Sequence, residues 1–319
     1  MNLSNFLYKV ALSIIDMENM PLRTFGSEFR EFLREYEGSK ALLIQPGGNN
    51  GDKLIYMGMR KLLEDLSIRY LEVSPADFPI RIYSRSLIFP RGYKKYYLPF
   101  EPIRVPKDIE LIIIHGGANF NDIWFRSIRI VKHLIRTQRV PIVVAPQTYY
   151  FYRTYPPDIF FKSQTKVYLF AREMFSYKHL RRFNLPEFVH VAHSDDTAFY
   201  LTAQDFGGPL NREHILLAFR TDKEQLTNTR EDLARELSRM FSEIGYPTVV
   251  SDVSVNETFS HFVDLISNAS LVITDRLHVG ILGSILKKPV ILLSGSYFKN
   301  FAIYQYSLKY FTATKFINK

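Results

Sequence analysis

Short apolar runs alternate along the chain with stretches in which apolar residues recur at helical spacing, and this alternation limits the fold to few classes. The first unit has a strand-like run over residues 41–45, a Gly-rich turn, and then a helical pattern of Ile55, Met59, Leu62, Leu63 and Leu66. Similar runs occupy residues 111–114, 141–145 and 167–171, and we expect the helix after the first of these to carry on its inner face Trp124, Ile128, Val131 and Ile135. Strands that alternate with helices predict a parallel sheet covered by helices.

A Gly-Gly-Pro sequence among polar residues, within residues 202–211, interrupts this alternation and predicts a linker. Beyond it, strand-like runs return at residues 215–219, 247–250, 271–274 and 289–293. A chain of 319 residues is also longer than a single core usually supports. The sequence therefore predicts an α/β fold with two Rossmann-like domains facing across a cleft. We expect residues 1–205, with the N-terminal helical segment, to form the first domain and residues 206–319, with an aromatic tail, the second.

Composition excludes several classes of protein. Cysteine is absent, which removes disulfides, thiolate catalysis and thiolate metal sites. The first residues lack the pattern of a signal peptide, and no apolar run reaches the roughly 20 residues that cross a bilayer. We therefore expect a cytoplasmic protein.

The net charge of +9 points to anionic substrates or surfaces. The densest basic and aromatic segment covers residues 81–104 and contains Arg85, Arg91, Lys94 and Lys95 among Tyr83, Phe89, Tyr93, Tyr96, Tyr97 and Phe100. A solvated loop is the simpler interpretation. The alternative is contact with anionic lipid head groups, at the inner face of the membrane, or with a diphosphate-linked glycan. No RNA-binding motif accompanies the segment, so nucleic acid is not expected as a partner.

The stretch Leu271–Gly280 combines an apolar strand with Asp275, Arg276 and His278 at the start of a helix. Asp275 could cap that helix, the first backbone N–H groups point outward, and the Arg and His side chains add donors. This pattern predicts an anion site that includes a proton donor. An ordinary capped core helix is the alternative, because the residues that follow are apolar.

Other polar segments also follow strand-like runs, at residues 45–52, 115–120, 145–148 and 171–173 and near Lys299. In a parallel sheet these strand ends share one rim. Taken in order, the segments resemble the polysaccharide pyruvyl transferase family from about Ala41 to Lys299, with the most specific match at Thr274–His278. The resemblance implies a GT-B-type fold and transfer of a pyruvyl group from phosphoenolpyruvate to two hydroxyls of a sugar, with a ketal and phosphate as products.

That reaction needs a proton for the methylene carbon, cations for carboxylate and phosphate, and a base for the sugar hydroxyls. We assign His278 as the acid and Asp52 as the candidate base. The donor would be held by Arg276, Arg172 and Lys299, and the sugar by Asn49, Asn50, Asn119 and Gln147. For Arg276 an ion pair with Asp275 or Asp252 is the alternative, and for Asp52 a role at the start of a helix.

The Gly-rich loop over residues 47–52 lacks the Gly-Lys-Ser/Thr ending of a nucleotide P-loop, so we do not expect a nucleoside triphosphate. One cluster resembles metal ligands: His190, His193, Asp195 and Asp196. If a strand continues through the two histidines, they face opposite ways. We therefore expect neither a metal nor a cofactor, with phosphoenolpyruvate as donor substrate and Asp196 matching an aspartate that the family carries after this strand.

The leading hypothesis is an enzyme that places a pyruvyl ketal on a cell-surface polysaccharide or its lipid-linked precursor. A nucleotide-sugar-dependent GT-B glycosyltransferase is the first alternative, because the two-domain architecture is shared. A non-catalytic glycan-binding protein is the second. Fold similarity does not decide among these three, and the sequence leaves the oligomeric state open.

Overall fold

The computed structural model describes residues 2–74, 105–161, 163, 165–207, 211–222 and 229–318. Two parallel sheets organise these residues. The basic and aromatic segment 81–104 lies outside the described residues, and so does the contact with lipid or glycan inferred from it. Residues 208–210, the central part of the predicted linker, also lie outside them.

The first sheet has six strands in the order β2-β1-β3-β4-β5-β6. Their bounds are β1 Lys40–Ile44, β2 Arg69–Val73, β3 Leu111–Ile114, β4 Ile142–Gln147, β5 Val167–Ala171 and β6 Val189–His193. The helices in this part of the chain are α1 Leu3–Ile14, α2 Ser27–Arg34, α3 Asn50–Asp65, α4 Arg126–Thr137, α5 Pro157–Phe160 and α6 Met174–Leu180. The central strands are buried and apolar on both faces, as expected where helices cover a parallel sheet.

The second sheet has five strands in the order β11-β10-β9-β7-β8. Their bounds are β7 His214–Ala218, β8 Thr248–Val250, β9 Ala269–Thr274, β10 Val290–Leu293 and β11 Thr314–Ile317. The helices are α7 Thr229–Ser242, α8 Phe259–Ser267, α9 Leu277–Ile285 and α10 Lys299–Tyr306. The prediction of an α/β fold with two Rossmann-like halves is confirmed, and β11 is a strand that the sequence pattern did not predict.

Each sheet contains a point at which the strand order reverses. In the first sheet β1 lies between β2 and β3, and in the second β7 lies between β8 and β9. Loops that leave the carboxyl ends of such strands diverge to opposite faces of the sheet, which opens a crevice where ligands bind. The loops that follow β1, β3, β7 and β9 are therefore the expected positions of a site.

The helix α1 packs against the second sheet rather than the first. Leu7, Ala11 and Ile14 share a buried cluster with Ile215 of β7 and Leu237 of α7. Grouping α1 with the first domain was therefore wrong, because its apolar face is covered by the other half of the molecule. By contrast, α2 packs on the first sheet, where Phe29 and Leu33 share a buried cluster with Ala41 and Leu43 of β1. The boundary near residue 205 stays a prediction.

The two halves also share apolar packing. Leu54 of α3 and Ala198, which follows β6, belong to the same buried cluster as Leu277 of α9 and Leu292 of β10. This contact brings the N-terminal ends of α3 and α9 together. Among the helices of the described ranges, none is both long enough and apolar enough to cross a membrane.

Candidate active site

A cleft of about 400 Å³ opens where the reversal points of the two sheets meet. The first half contributes the loop after β1 and the loop after β3, and the second half contributes residues after β7 and β9. Seven of the predicted site residues line it: Asn49, Asp52, Asn119, Arg172, Arg276, His278 and Lys299. The expectation that strand ends from both halves converge on one site is met for this set.

The Gly-rich loop becomes the first turn of α3 through reciprocal capping. The Asn49 side chain accepts a hydrogen bond from the Gly51 N–H at 2.8 Å, and Asp52 Oδ2 accepts one from the Asn49 N–H at 2.9 Å. Gly51 also has no room for a side chain, since a Cβ there would lie 2.8 Å from Cβ and Nδ1 of His278. Glycine therefore allows α3 to approach the catalytic candidate in the other half directly.

Arg172, Asp196 and His278 form one cluster across the two halves. Arg172 Nη1 lies 2.6 Å from Asp196 Oδ2, with both side chains almost fully buried. His278 Nε2 lies 3.3 Å from the same oxygen and 3.4 Å from Arg172 Nη1. Arg172 Nε donates to the Thr148 hydroxyl at 2.9 Å, which fixes the guanidinium. Glu173 does not pair with Arg172; its carboxylate accepts hydrogen bonds from Ser176 in the first turn of α6.

The two carboxylates nearest His278 have opposite pKa shifts. For Asp196, burial raises the pKa, but the hydrogen bond to His278 and the charge of Arg172 outweigh it and hold the pKa well below its usual range. For Asp52, burial dominates and raises the pKa, against the opposing effects of His278 and the Asn49 N–H. The ionised form of Asp196 is therefore favoured beside His278, whereas burial makes Asp52 easier to protonate than an ordinary aspartate.

Arg276 is held by two carboxylates. Its Nε donates to Asp252 Oδ1 at 2.8 Å, its Nη2 also contacts Asp252, and its Nη1 lies 2.7 Å from Asp222 Oδ2. Arg220 approaches both oxygens of Asp222 at 3.1 Å. The ion pair considered as the alternative for Arg276 is thus present with Asp252, although Arg276 also lines the cleft.

Asp275 does not cap α9, contrary to the expectation. The residue that precedes the helix is Arg276, whose N–H donates to Thr274 Oγ1 at 2.9 Å. The Asp275 carboxylate instead accepts the Arg220 N–H at 2.8 Å and lies 3.5 Å from Arg230 Nε, buried beneath the site. It joins the ends of β7 and β9, so its role is to fix the two loops that carry Arg220 and Arg276.

Two predicted acceptor residues do not face the cleft. Asn50 donates to the carbonyls of Val253 and Glu257, and Gln147 donates to the His115 carbonyl and accepts the Asn119 N–H. Both amides are used to hold loops in place. Their assignment as direct sugar contacts is therefore wrong. Both residues lie near the cleft because they follow strands, but their side chains turn into the protein.

The cleft residues that were not recognised from the sequence include Trp124, Arg126, Arg220 and Asp222. Trp124 was expected on the inner face of a helix, but α4 begins only at Arg126. Arg126 Nη1 donates to the Pro46 carbonyl at 3.1 Å and so lies across the Gly-rich loop. Arg220 could have been found, because it follows a buried strand in the same way as Arg172.

The cluster that resembled metal ligands is dispersed. His190 stacks on Tyr168, whereas His193 Nδ1 lies 2.8 Å from the Tyr306 hydroxyl. Asp195 pairs with Arg23 at 2.6 Å and Asp196 with Arg172. Each of the four side chains thus has its own structural partner, and β6 runs through both histidines.

The architecture and the cleft define a two-domain α/β protein whose site is built from cations and a His–Asp pair at paired sheet reversal points. The chain belongs to the polysaccharide pyruvyl transferase family, whose model matches residues 49–297.

Individual proteins are also similar to this chain, in fold or in part of the sequence. A crystal structure of an uncharacterized protein from Klebsiella pneumoniae is 21% identical, with a TM-score of 0.63 over 92% of this chain and 98% of that one, which shows a common fold. General stress protein 30 of Bacillus subtilis is 32% identical over 100 residues, a segment that spans 28% of this chain and 29% of that protein. A UDP-GlcNAc 2-epimerase from Methanocaldococcus jannaschii is 12% identical, with a TM-score of 0.41 over 88% and 89% of the two chains.

Proposed function

We propose that this protein transfers a pyruvyl group from phosphoenolpyruvate to two hydroxyls of one sugar in a polysaccharide or its lipid-linked precursor. One sugar oxygen adds to C2 of the enol while C3 gains a proton and becomes a methyl group. The second sugar oxygen then bonds to C2 as the bond from C2 to the phosphate oxygen breaks. Of the two hydroxyl protons, one replaces the proton delivered to C3 and the other leaves with phosphate, so the reaction is balanced.

The observation that carries this proposal is the contact of His278 Nε2 with the buried Arg172–Asp196 pair at the edge of the cleft. A buried anion next to an imidazole holds the ring in one orientation. His278 is in the first turn of α9, where an anionic donor would also be favoured by the helix dipole. A bound donor and Asp196 together make His278 the proton donor to C3.

Asp52 is the base in this mechanism. Its Oδ2 accepts the Asn49 N–H, and no described residue donates to Oδ1, which lies on the side of Gly117. A carboxylate whose pKa is raised by burial is a better base near neutral pH than an ordinary aspartate. Oδ1 would then accept the proton of an attacking hydroxyl, with Asn49 and Asn119 beside it to bind the sugar.

The donor's two anionic groups require cations, and the cleft provides Arg172, Arg276 and Lys299 as well as the newly recognised Arg126. Arg276 keeps its two-point contact with buried Asp252, so the arm that contacts Asp222 is the one that would turn to the donor. The Asp222 side chain is 29% exposed, so water can solvate it if phosphate takes its place beside Arg276. The buried Asp252 would lose more free energy if it were left without a counter-charge.

Donor choice tests the proposal. The chain has one tryptophan, Trp124, and it lines the cleft, so its fluorescence reports occupancy there. Phosphoenolpyruvate should change this fluorescence and raise the melting temperature, since a ligand at a hundred times its dissociation constant adds about 2.7 kcal/mol. With a sugar acceptor, proton NMR should show a new ketal methyl signal as phosphate is released. Stabilisation by UDP-, GDP- or CMP-sugars alone would favour the glycosyltransferase, and glycan binding without turnover of any donor would favour the non-catalytic protein.

A further inference from the structure

A second cavity, of about 310 Å³, opens beside the cleft between the two halves of the molecule. The first half supplies Tyr150 and the α6 residues Phe175 and Lys178, and the second half supplies Phe298. Phe298 directly precedes Lys299, which lines the cleft, so the two cavities are neighbours along this part of the chain. We call this second cavity the aromatic groove.

Aromatic rings from both halves meet in the aromatic groove. Phe175 stacks on Phe298 with ring centroids 5.8 Å apart, and Tyr150 meets the edge of Phe298 at 5.5 Å and stacks on Tyr297 at 5.9 Å. Phe175 is still 47% exposed despite its contact with Phe298. An exposed ring at a concave surface offers an apolar face to a ligand, and sugar rings present a matching face of C–H groups.

Two cationic side chains line the aromatic groove. Lys178 and Arg182 are four residues apart, so they project from one side of α6 and the turn that follows it. Within the described part of the chain, neither forms an ion pair with a carboxylate. His179 adds no third charge at neutral pH, because burial lowers its pKa and its Nε2 accepts the Phe151 N–H at 3.0 Å.

We propose that the aromatic groove binds an anionic sugar unit of the acceptor, adjacent to the sugar that receives the pyruvyl group. This inference rests on the proposed function, because it extends the acceptor from the cleft into the neighbouring cavity. The ring of the sugar would pack on Phe175, and Lys178 and Arg182 would contact its negative group. A phosphate of a lipid-linked precursor and the carboxylate of a hexuronic acid share this chemistry.

Calorimetric titration of the full chain tests this with four probes. They are a disaccharide diphosphate with a short prenyl chain, a disaccharide with a reducing-end hexuronic acid, a neutral disaccharide and inorganic pyrophosphate. The variants are Phe175→Ala and the double variant Lys178→Ala/Arg182→Ala. Matched controls are Phe161→Ala and Lys166→Ala, since both residues are exposed in the same half of the molecule and neither lines the groove.

At least one anionic saccharide should bind more tightly than the neutral disaccharide and pyrophosphate, and both groove variants should raise its dissociation constant by about tenfold. The controls should leave it unchanged. Binding of the prenyl diphosphate alone identifies phosphate as the charge, and binding of the uronic acid alone identifies carboxylate. Affinity that is equal in wild type and both variants, or absence of saccharide binding, overturns the proposal.

Failure of this inference can be separated from failure of the proposed function. If ketal is formed but the groove variants keep the wild-type acceptor KM, the groove is not part of the acceptor site. If the groove variants weaken saccharide binding but phosphoenolpyruvate yields no ketal with any acceptor, the proposed reaction is wrong. The response of Trp124 fluorescence to phosphoenolpyruvate should be the same in wild type and groove variants, which checks that the cleft is intact.

Discussion

Arg172 and Asp196 form an ion pair of 2.6 Å in which the two side chains are 1% and 0% exposed, and His278 of the other half shares the same carboxylate oxygen. A buried pair of this kind seldom adds net stability, because desolvation offsets the attraction between the charges. In the proposed function, the pair would instead supply a fixed negative charge for the imidazole and a fixed positive charge for the donor.

Removal of Asp196 should destabilise the protein strongly. Asp196→Ala leaves the Arg172 guanidinium buried without a counter-charge, so we expect the free energy of unfolding to fall by about 3–5 kcal/mol in urea denaturation. The double variant Arg172→Met/Asp196→Ala should lose less, because no charge remains unpaired. As a control, Asp65→Ala breaks a more exposed pair with Arg30 and should cost about 1 kcal/mol or less. Equal losses for Asp196→Ala and Asp65→Ala would contradict the buried-charge argument.

Acid should destabilise the protein through Glu72. Burial opposes ionisation of this carboxylate, but hydrogen bonds from His115, Arg60 and Gln45 lower its pKa from 4.5 to about 2. Because the pKa is lowered on folding, the stabilisation is complete above pH 4.5 and is lost as the pH falls toward 2. A tenfold change in an acid dissociation constant corresponds to about 1.4 kcal/mol, so the stabilisation has an upper limit of about 3 kcal/mol.

Glu72→Gln checks this, because it keeps the shape of the side chain but cannot titrate. Urea denaturation between pH 7 and pH 3 should show a shallower decline in the free energy of unfolding for the variant than for wild type. Burial lowers the pKa of His115, which contributes its own decline below pH 6.5 in both proteins. Identical slopes below pH 4.5 would show that Glu72 does not gain stability from its ionised form.

From the sequence we could predict that strand ends converge on one site, but not which way each polar side chain points. This prediction placed Asp52, Arg172 and His278 together correctly, because the carboxyl ends of parallel strands share one rim within each sheet and the two rims meet at the cleft. It failed for Asn50 and Gln147, whose amides satisfy backbone groups of neighbouring loops. Which polar side chain faces the ligand depends on contacts distant in sequence, and a single chain does not reveal these.

The helical spacing of apolar residues also gave a wrong prediction, which placed Trp124 on the inner face of a helix. Its spacing from Ile128, Val131 and Ile135 fits a helix, but the Asn121 side chain accepts the N–H groups of Ile123 and Trp124 at 2.9 and 2.8 Å. This local turn competes with helix formation and turns Trp124 into the cleft. The same limitation applies to α1, whose amphipathic pattern shows that one face is covered but not which sheet covers it.

Arg276→Lys should weaken donor binding although the charge is kept. Arg276 divides its guanidinium between Asp252 and the cleft, and an ammonium group cannot make both sets of contacts. We expect the dissociation constant for phosphoenolpyruvate, measured by Trp124 fluorescence, to rise about tenfold, which corresponds to about 1.4 kcal/mol. Arg239→Lys, which alters an exposed pair with Glu243, is the matched control. An unchanged donor affinity in Arg276→Lys would remove Arg276 from the donor site.

His278→Gln should separate catalysis from binding. Glutamine keeps a polar side chain of similar reach beside Asp196 but cannot deliver a proton. We expect turnover to fall by about 10²–10⁴-fold, the usual contribution of a positioned acid, while the dissociation constant for phosphoenolpyruvate changes far less. His261→Gln is the matched control, because His261 is an exposed histidine on α8 that contacts Glu257.

If His278 only holds the phosphate, binding should weaken and the rate at saturating donor should persist. If its role is purely structural, the melting temperature should fall with no selective effect on binding or rate, and near-wild-type turnover in a folded variant would exclude His278 as the acid.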